Sequence, residues 1–426
     1  MPDSRLNVGV AFGGVSPEHE VSVISSLQAL HALDRSRYNP IPIYVAKDGT
    51  WYSGKRLLDI EAYQDLDKLR REATRVILDP GSFGTMDLVG AGRKGLFGGE
   101  PERYRIDVVF LGFHGGEGEN GSFQGLCETF NVLYTGSGVF GSAIGMDKVL
   151  SKMLCRDQGI PIVDFLWFRE SDWGYHEEEW LDRIERELGL PVVVKPARLG
   201  SSIGIAKADT RDELDAAIED ALRYDDKIVI EHAVQQLREI NCSVLGDPQQ
   251  AIPSVLEEPV RTKGAKMLTF QEKYMRGGGG GAKGRGGSKG VAARRGSKAG
   301  RGGAAGMASL DRIIPAPLSE EQSKMIQELG VRVFQLFECA GVARIDFMID
   351  EATGAVYFNE INTIPGSFSF YLWEPTGIPF EELTHRMIQI GLARHQAKNG
   401  RIRSYDVNLL SQRSLKGLKG AKGGKP

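Results

Sequence analysis

Apolar runs that stop abruptly at glycine, proline or a charged pair set the rhythm of this chain. Leu6–Phe12 reads as a buried strand that empties into Gly13-Gly14 and then Ser16-Pro17. Serine before proline predicts a helix start there: the hydroxyl caps, and proline takes the first position, where no N–H is needed. Glu18, His19 and Glu20 then fall in the first turn, either for a ligand above the strand end or as plain dipole compensation. Further strands are predicted over Pro40–Ala46, Asp107–Phe113, Leu190–Pro196, Lys227–Glu231 and Ile240–Leu245, with another starting at Ile203–Ala206. Helical spacing marks Arg211–Arg223, Ser319 to about Ala340, and Phe380–Ala393. Strand, glycine turn and helix in that order open a doubly wound α/β domain, where ligands gather at strand ends.

The most informative pattern is RIDFMIDEATGAVYFNEINTIPG at 344–366. It predicts two alternating strands, Ala343–Ile349 and Val356–Asn362, joined by a turn at Asp350–Gly354. Side chains two apart on a strand share a face, so Arg344 and Asp346 look out together, as do Glu360 and Asn362. Three oxygen ligands and a guanidinium on one face suit Mg²⁺ bound with nucleotide phosphates. The competing reading is a solvated outer face; the apolar alternate positions and the bend at Ile364-Pro365-Gly366 weigh against it.

Several loops carry chemistry. His114-Gly115-Gly116-Glu117-Gly118-Glu119-Asn120-Gly121 follows a buried strand, and its glycines let backbone approach a ligand. Gly136–Gly141 matches GxGxxG, but no acidic partner completes a dinucleotide site, so it reads as a tight turn. The helix after it contains Met146-Asp147-Lys148 and Ser151-Lys152; Lys148 and Lys152 share a face, a solvated one unless an anion faces it. Lys195 near the end of an apolar strand needs an anionic partner, commonly phosphate. Arg198–Gly204 can offer backbone N–H donors to a phosphate, yet no GxxxxGK[ST] occurs, which excludes a P-loop enzyme. Glu231 and Glu239, acids at strand ends, are candidates for ribose hydroxyls or are surface acids.

Composition narrows the class. At 426 residues the chain holds two or three domains, and 41% hydrophobic with 26% charged residues is ordinary for a globular protein. No apolar run approaches a membrane span, and the start lacks the build of a signal peptide. Four scattered cysteines without CxxC indicate neither zinc nor a disulfide framework and fit a reduced cytoplasm. The net charge of −3 hides an asymmetry: Arg276–Gly306 carries eight Lys/Arg, 14 glycines and no acid, and Ser411–Pro426 carries five Lys/Arg and no acid. The remaining body is strongly acidic, unlike a uniformly basic nucleic-acid binder. The glycine-rich run cannot bury enough surface to fold by itself; its GRGG pieces resemble RNA-contacting segments, and an inserted loop is the preferred reading.

Six motifs in series resemble the D-alanine–D-alanine ligases of the ATP-grasp superfamily: GGVSPEHEVS at 13–22, HGGEGENGSFQG at 114–125, YTGSGVFGSAIGMDK at 134–148, VVKPARLGSSIG at 193–204, EKY at 272–274, and RIDF with NEINTIPG within 344–366. The resemblance covers roughly 6–275 and 308–395. It implies an α/β chain with an N-terminal doubly wound parallel domain (1–140) followed by a two-lobed ATP-grasp fold (141–231 and 232–410, the latter with insert 276–306), then a tail (411–426). It implies ATP and two Mg²⁺, with Mn²⁺ a substitute, and a cytoplasmic enzyme acting on small amino acids, homodimeric, with no membrane and no nucleic-acid partner.

The resemblance also assigns roles. Lys148 and Lys195 hold ATP phosphates, and Ser201-Ser202 lie on the loop that closes over them. Glu231 and Glu239 reach the adenosine end. Asp346, Glu360 and Asn362 hold metal. Glu18 binds the first substrate's ammonium and links through Ser201 to Tyr274 on a mobile loop. His114 sits near the reacting carboxylate, Arg344 and the Gly366 N–H stabilise the oxyanion, and Lys273 pairs with phosphate or the second substrate's carboxylate. Departures from the family pattern are Asn120 in place of an aspartate, and Phe368 and Tyr371 where threonine and serine usually follow Pro-Gly; Tyr371 and Leu372 would then meet the second substrate. The implied reaction joins two D-alanines through an acyl phosphate for peptidoglycan synthesis. The alternatives are a ligase making another dipeptide or depsipeptide, and a retired scaffold binding nucleic acid through the insert.

Overall fold

The computed structural model describes residues 5–91, 100–260 and 312–405. Lys273, Tyr274, the glycine-rich insert and the basic tail lie outside the described residues.

Three sheets organise the described residues. The first runs β1 (Leu6–Gly13), β2 (Tyr38–Val45), β3 (Trp51–Ser53), β4 (Thr74–Leu78), β5 (Met86–Gly90), β6 (Arg103–Ile106), β7 (Val108–Leu111) and β8 (Leu133–Tyr134), in spatial order β6-β5-β4-β3-β2-β1-β7-β8. Strands β2, β1, β7 and β8 are parallel, and β2 through β6 pair antiparallel. The expected doubly wound parallel α/β arrangement is thus present in β2, β1, β7 and β8, extended at one edge by an antiparallel half. That half is a meander of short strands with half-exposed polar residues, which carry no buried apolar run to announce them.

The second sheet has β9 (Phe165–Arg169), β10 (Val192–Pro196), β11 (Ala206–Ala208) and β12 (Lys227–His232), ordered β11-β10-β12-β9. The third has β13 (Leu237–Gly246), β14 (Ala251–Pro259), β15 (Arg312–Ile313), β16 (Gly341–Asp350) and β17 (Val356–Asn362), ordered β15-β14-β13-β16-β17. Both are antiparallel. Glu239 thus lies inside β13 rather than ahead of it, and the segment at Ser201–Gly204 is a turn, the strand beginning only at Ala206.

Two predicted helix boundaries shift for a physical reason. Helix His19–Ala32 starts three residues after Ser16; Ser16 Oγ accepts the Glu18 N–H at 3.1 Å and its carbonyl accepts the His19 N–H at 3.2 Å, so Ser16-Pro17 form a turn that leads into the helix. The stretch around Met146–Lys152 is not one helix but two, Val139–Met146 and Lys148–Asp157. Asp147 (φ −90°, ψ 105°) breaks it, and its carboxylate accepts the Val149 and Leu150 N–H groups, each at 3.0 Å. The break turns Lys148 and Lys152 inward, against β10, β12 and β17.

The largest core is shared across the chain. Val8, Val10, Phe12, Phe110 and Leu111 of the first sheet pack with Phe368, Trp373, Leu383, Met387 and Ile388 near the other end. Phe110 meets Phe368 edge-on, ring centroids 5.2 Å apart. The helix Phe380–Asn399 is held there by hydrogen bonds from Arg394 to the Tyr134 carbonyl (3.1 Å) and between Tyr38 Oη and His385 Nδ1 (2.7 Å).

Candidate active site

A cleft of about 570 Å³ opens between the second and third sheets, within the size range of small-molecule sites. Lys195, Glu231 and Ser202 line it from one side, Glu239, Asp346, Met348, Asn359 and Glu360 from the other. A small polar pocket abuts it, sharing Arg344 and Glu360 and lined also by Glu18, His114, Glu119, Lys148, Ser201, Asn362 and Gly366. The segments after β1 and β7 bring Glu18 and His114 to this pocket, and the bend after β17 brings Thr363, Ile364 and Gly366.

The hairpin β16–β17 arranges the candidate metal ligands. Asp346 lies opposite Glu360 and Arg344 opposite Asn362. Arg344 forks onto Asp346, Nε to Oδ1 and Nη2 to Oδ2, both at 2.7 Å, and Asn362 Nδ2 reaches Asp346 Oδ2 at 3.2 Å. Burial works against the Arg344 charge, but Asp346 outweighs it and lifts its pKa well above the ordinary value. Lys148 Nζ pairs with Glu360 Oε2 at 3.1 Å and donates to the Leu199 carbonyl at 2.8 Å. Lys195 Nζ donates to Glu231 Oε2 at 2.8 Å and Asn359 Oδ1 at 3.1 Å.

Glu18 is approached from two loops through glycines. Ser201 Oγ donates to Glu18 Oε1. A Cβ on Gly115 would stand 2.6 Å, and one on Gly200 2.7 Å, from Glu18 Oε2. Ser201 and Ser202 both have left-handed backbone (φ +53° and +59°), which turns this loop so that Ser201 serves the small pocket and Ser202 the cleft. Gly200→Ala is expected to keep the fold, since only the tip of Glu18 must give way, and to raise the KM for the amino acid bound at Glu18 about tenfold. Steady-state kinetics against each substrate checks this; an unchanged KM removes Glu18 from that role.

His114 is 4% exposed. Ser25 Oγ accepts the Ser367 N–H at 2.8 Å and is hydrogen-bonded to His114 Nε2 at 3.0 Å. Burial chiefly pushes the His114 pKa down to about 3, which favours the neutral imidazole, and the Ile364 backbone opposes this only in part.

The family model for the D-ala D-ala ligase N-terminus matches residues 7–137, and that for the C-terminus matches 154–282 and 306–389. A D-alanine–D-alanine ligase of Thermosipho melanesiensis is 38% identical over 405 residues, covering 95% of this chain and 98% of that protein. This chain belongs to the D-alanine–D-alanine ligase family. The D-alanine–D-alanine ligase structure from Coxiella burnetii superposes with a TM-score of 0.72 at 28% identity, covering 95% of this chain and all of the other. The VanG D-Ala:D-Ser ligase of Enterococcus faecalis follows at TM-score 0.69 and 25% identity, over 91% and 99% of the two chains. Members of the family are ATP-dependent ligases.

Within the family frame, the structure brings together Glu18, His114, Lys148, Ser201, Arg344, Glu360, Asn362 and Gly366 in the small pocket and Lys195, Ser202, Glu231, Glu239 and Asp346 in the cleft. It does not bring Tyr371 and Leu372 to either lining. Leu372 is fully buried with Tyr371 among Val255, Ile314 and Phe370. The Tyr371 hydroxyl is spent on Glu257 Oε1 at 3.3 Å, and the Arg312 guanidinium stacks 3.7 Å from its ring centroid. Among the described residues Tyr371 thus packs directly against Glu257 and Arg312, which themselves line the cleft. Phe368 is likewise a core side chain rather than a pocket one. Asn120 Oδ1 accepts the Ser122 N–H at 3.0 Å, a turn bond that an aspartate would make equally.

Two residues that no role was read for stand out. Glu119 lines the small pocket and clamps two loops, Oε2 accepting the Gly115 N–H at 2.8 Å and Oε1 the Ile364 N–H at 3.2 Å. Burial first, then the Glu18 charge, raise its pKa to about 7. A carboxyl whose folded pKa exceeds its ordinary value of 4.5 contributes stability below that value and loses it as the pH rises through 7. Glu119→Gln is therefore expected to flatten the decline of the thermal midpoint between pH 5 and pH 8, a difference on the order of 3 kcal/mol. Parallel slopes for variant and parent would contradict it. The other residue is Lys152, fully buried behind the cleft.

Among the described residues no group of three or more His, Cys, Asp or Glu side chains gathers to hold a metal. The candidate set has two carboxylates and a carboxamide, all oxygen donors on facing strands, a combination that suits a hard cation. Their charges are balanced by Lys148 and Arg344, so the donors fit Mg²⁺ shared with those cations.

Proposed function

We propose that this chain condenses two D-alanines to D-alanyl-D-alanine with cleavage of ATP to ADP and phosphate, supplying the dipeptide for peptidoglycan. Support comes from the pairing of an anion-ready cleft with a small pocket that holds both an ammonium partner and an oxyanion partner, on a chain of this family.

A carboxylate is a poor acylating agent until one oxygen becomes a leaving group. Lys148 and Lys195 would hold the ATP phosphates, Glu231 and Glu239 the adenosine end, and Asp346, Glu360 and Asn362 two Mg²⁺, or Mn²⁺ in their place. Bound metal neutralises phosphate charge as the phosphoryl group transfers. Glu18, held by Ser201, orients the first D-alanine by its ammonium. Its carboxylate then lies toward Arg344 and the Gly366 N–H, which stabilise the oxyanion when the second amine attacks the acyl phosphate. Phosphate leaves with the C–O bond. His114, kept neutral chiefly by burial, shapes this wall without adding charge.

Lys273 and Tyr274 lie outside the described residues; the acyl phosphate itself must be kept from water. In this reading residues 1–140 form the substrate-binding part, 141–231 and 232–410 the two nucleotide lobes. Among the described residues no helix is long and apolar enough to cross a membrane. A cytoplasmic homodimer is the expected working form, checked by sedimentation.

The test is phosphate release from Mg-ATP with D-alanine alone, and with D-alanine paired with D-serine, D-lactate or glycine, the products read by mass spectrometry. D-alanyl-D-alanine as the main product upholds the proposal. Turnover only with another acceptor keeps the mechanism and changes the product.

A further inference from the structure

Lys152 has no exposed surface and does not line the cleft, yet it touches the same two residues as Lys195. Lys195 takes Glu231 Oε2 at 2.8 Å and Asn359 Oδ1 at 3.1 Å; Lys152 takes Glu231 Oε1 at 3.2 Å and the Asn359 main-chain oxygen at 3.1 Å. Two lysines thus grip one carboxylate and one asparagine from opposite sides. Full burial of an ammonium is costly and calls for a specific reason.

The register of β16 and β17 supplies one. Asp346 pairs with Glu360 but Phe347 pairs with Phe358, so Asn359 is an extra residue, a β-bulge. In a regular strand Asn359 and Glu360 would point to opposite faces. Here both line the cleft. The bulged Asn359 carbonyl is the one that accepts a hydrogen bond from the Lys152 ammonium, so this lysine holds the irregularity that aims Glu360.

Charge completes the case. Burial would raise the Glu231 carboxyl, but Lys152 and Lys195 outweigh it and hold it below the ordinary range. When Lys195 turns to a phosphate, Glu231 keeps its charge only if a second cation remains.

We propose that Lys152 is a positioning residue for the nucleotide site, holding the Glu231 carboxylate and the bulged Asn359 carbonyl from behind so that Lys195 can trade both for a phosphate. This rests on the reading of the cleft as the Mg-ATP site. Lys152 itself touches no substrate; it acts through Glu231, Asn359 and, by the bulge, Glu360.

A double-mutant cycle on the full chain tests it, with calorimetric binding of a non-hydrolysable Mg-ATP analogue and steady-state kinetics as readouts. Lys152→Met is expected to weaken nucleotide binding about tenfold and to leave the KM for D-alanine within about twofold. On a Glu231→Gln background, where no buried charge needs balancing, the same change is expected to cost less than about threefold. Equal costs on both backgrounds, or parental affinity in Lys152→Met, overturn the proposal. Should Lys152→Met fail to fold, a Lys152→Met/Glu231→Gln chain that folds and binds supports it. A doubly substituted chain that also fails to fold makes the lysine purely structural and overturns it. A parent chain that binds no nucleotide refutes the reading of the cleft instead.

Discussion

Glu360→Gln is expected to lower kcat for ATP-dependent ligation by roughly 10²–10³-fold while circular dichroism stays that of the parent. The amide has the size of the carboxylate but not its charge. It weakens metal binding opposite Asp346 and deprives Lys148 of its 3.1 Å partner. Because the Glu360 side chain is 24% exposed, the structural penalty is small beside the chemical one. Phosphate release over a range of Mg²⁺ concentrations is the measurement, and near-parental turnover would remove Glu360 from the metal set.

Arg344→Met combines two losses. Asp346, whose side chain is 14% exposed, forfeits both 2.7 Å bonds of the fork, and in the proposed reaction the oxyanion forfeits a cation. Breaking one side of a buried pair costs about 3–5 kcal/mol of stability, visible as an earlier urea midpoint. Losing a preorganised oxyanion donor costs roughly 10²–10³ in kcat. The informative companion is Arg344→Lys, which keeps the charge but cannot fork onto a carboxylate. It should recover part of the stability and little of the rate; full recovery of rate would show that charge alone matters there.

Much of this was legible before any coordinates. The β16–β17 hairpin follows from alternation alone, and its two candidate ligand pairs fall on one face as the period of two requires. The family motifs named Glu18, Lys148, Lys195 and Ser201, and all line the two connected cavities. What escaped was set by partners distant in sequence. Asp147 breaks a helix whose hydrophobic spacing runs straight through it, because its carboxylate caps the second helix and pairs with Lys227 at 2.8 Å. The bulge at Asn359 leaves no mark on an alternating pattern one residue long. Tyr371 and Leu372, placed by alignment of a motif, turn inward because Ser367, Phe368 and Ser369 all adopt left-handed backbone (φ +50° to +52°), and nothing in their side chains foretells that. Lys152 looked like a solvated neighbour of Lys148 until Glu231 was seen beside it. The half of the first sheet made of short, half-polar strands had no periodic signal to find.

The shared core of the first sheet and the closing segment bears on how the chain matures during synthesis. Val8, Phe12 and Phe110 complete their packing with Phe368, Trp373 and Met387. A nascent chain that has released only its opening strands carries their apolar face uncovered until nearly four hundred residues have been made. At about 5–20 residues per second the exposure lasts tens of seconds. The apolar face of the first sheet is therefore completed only by residues that are made last, and a chain stopped within the second or third sheet would still expose it.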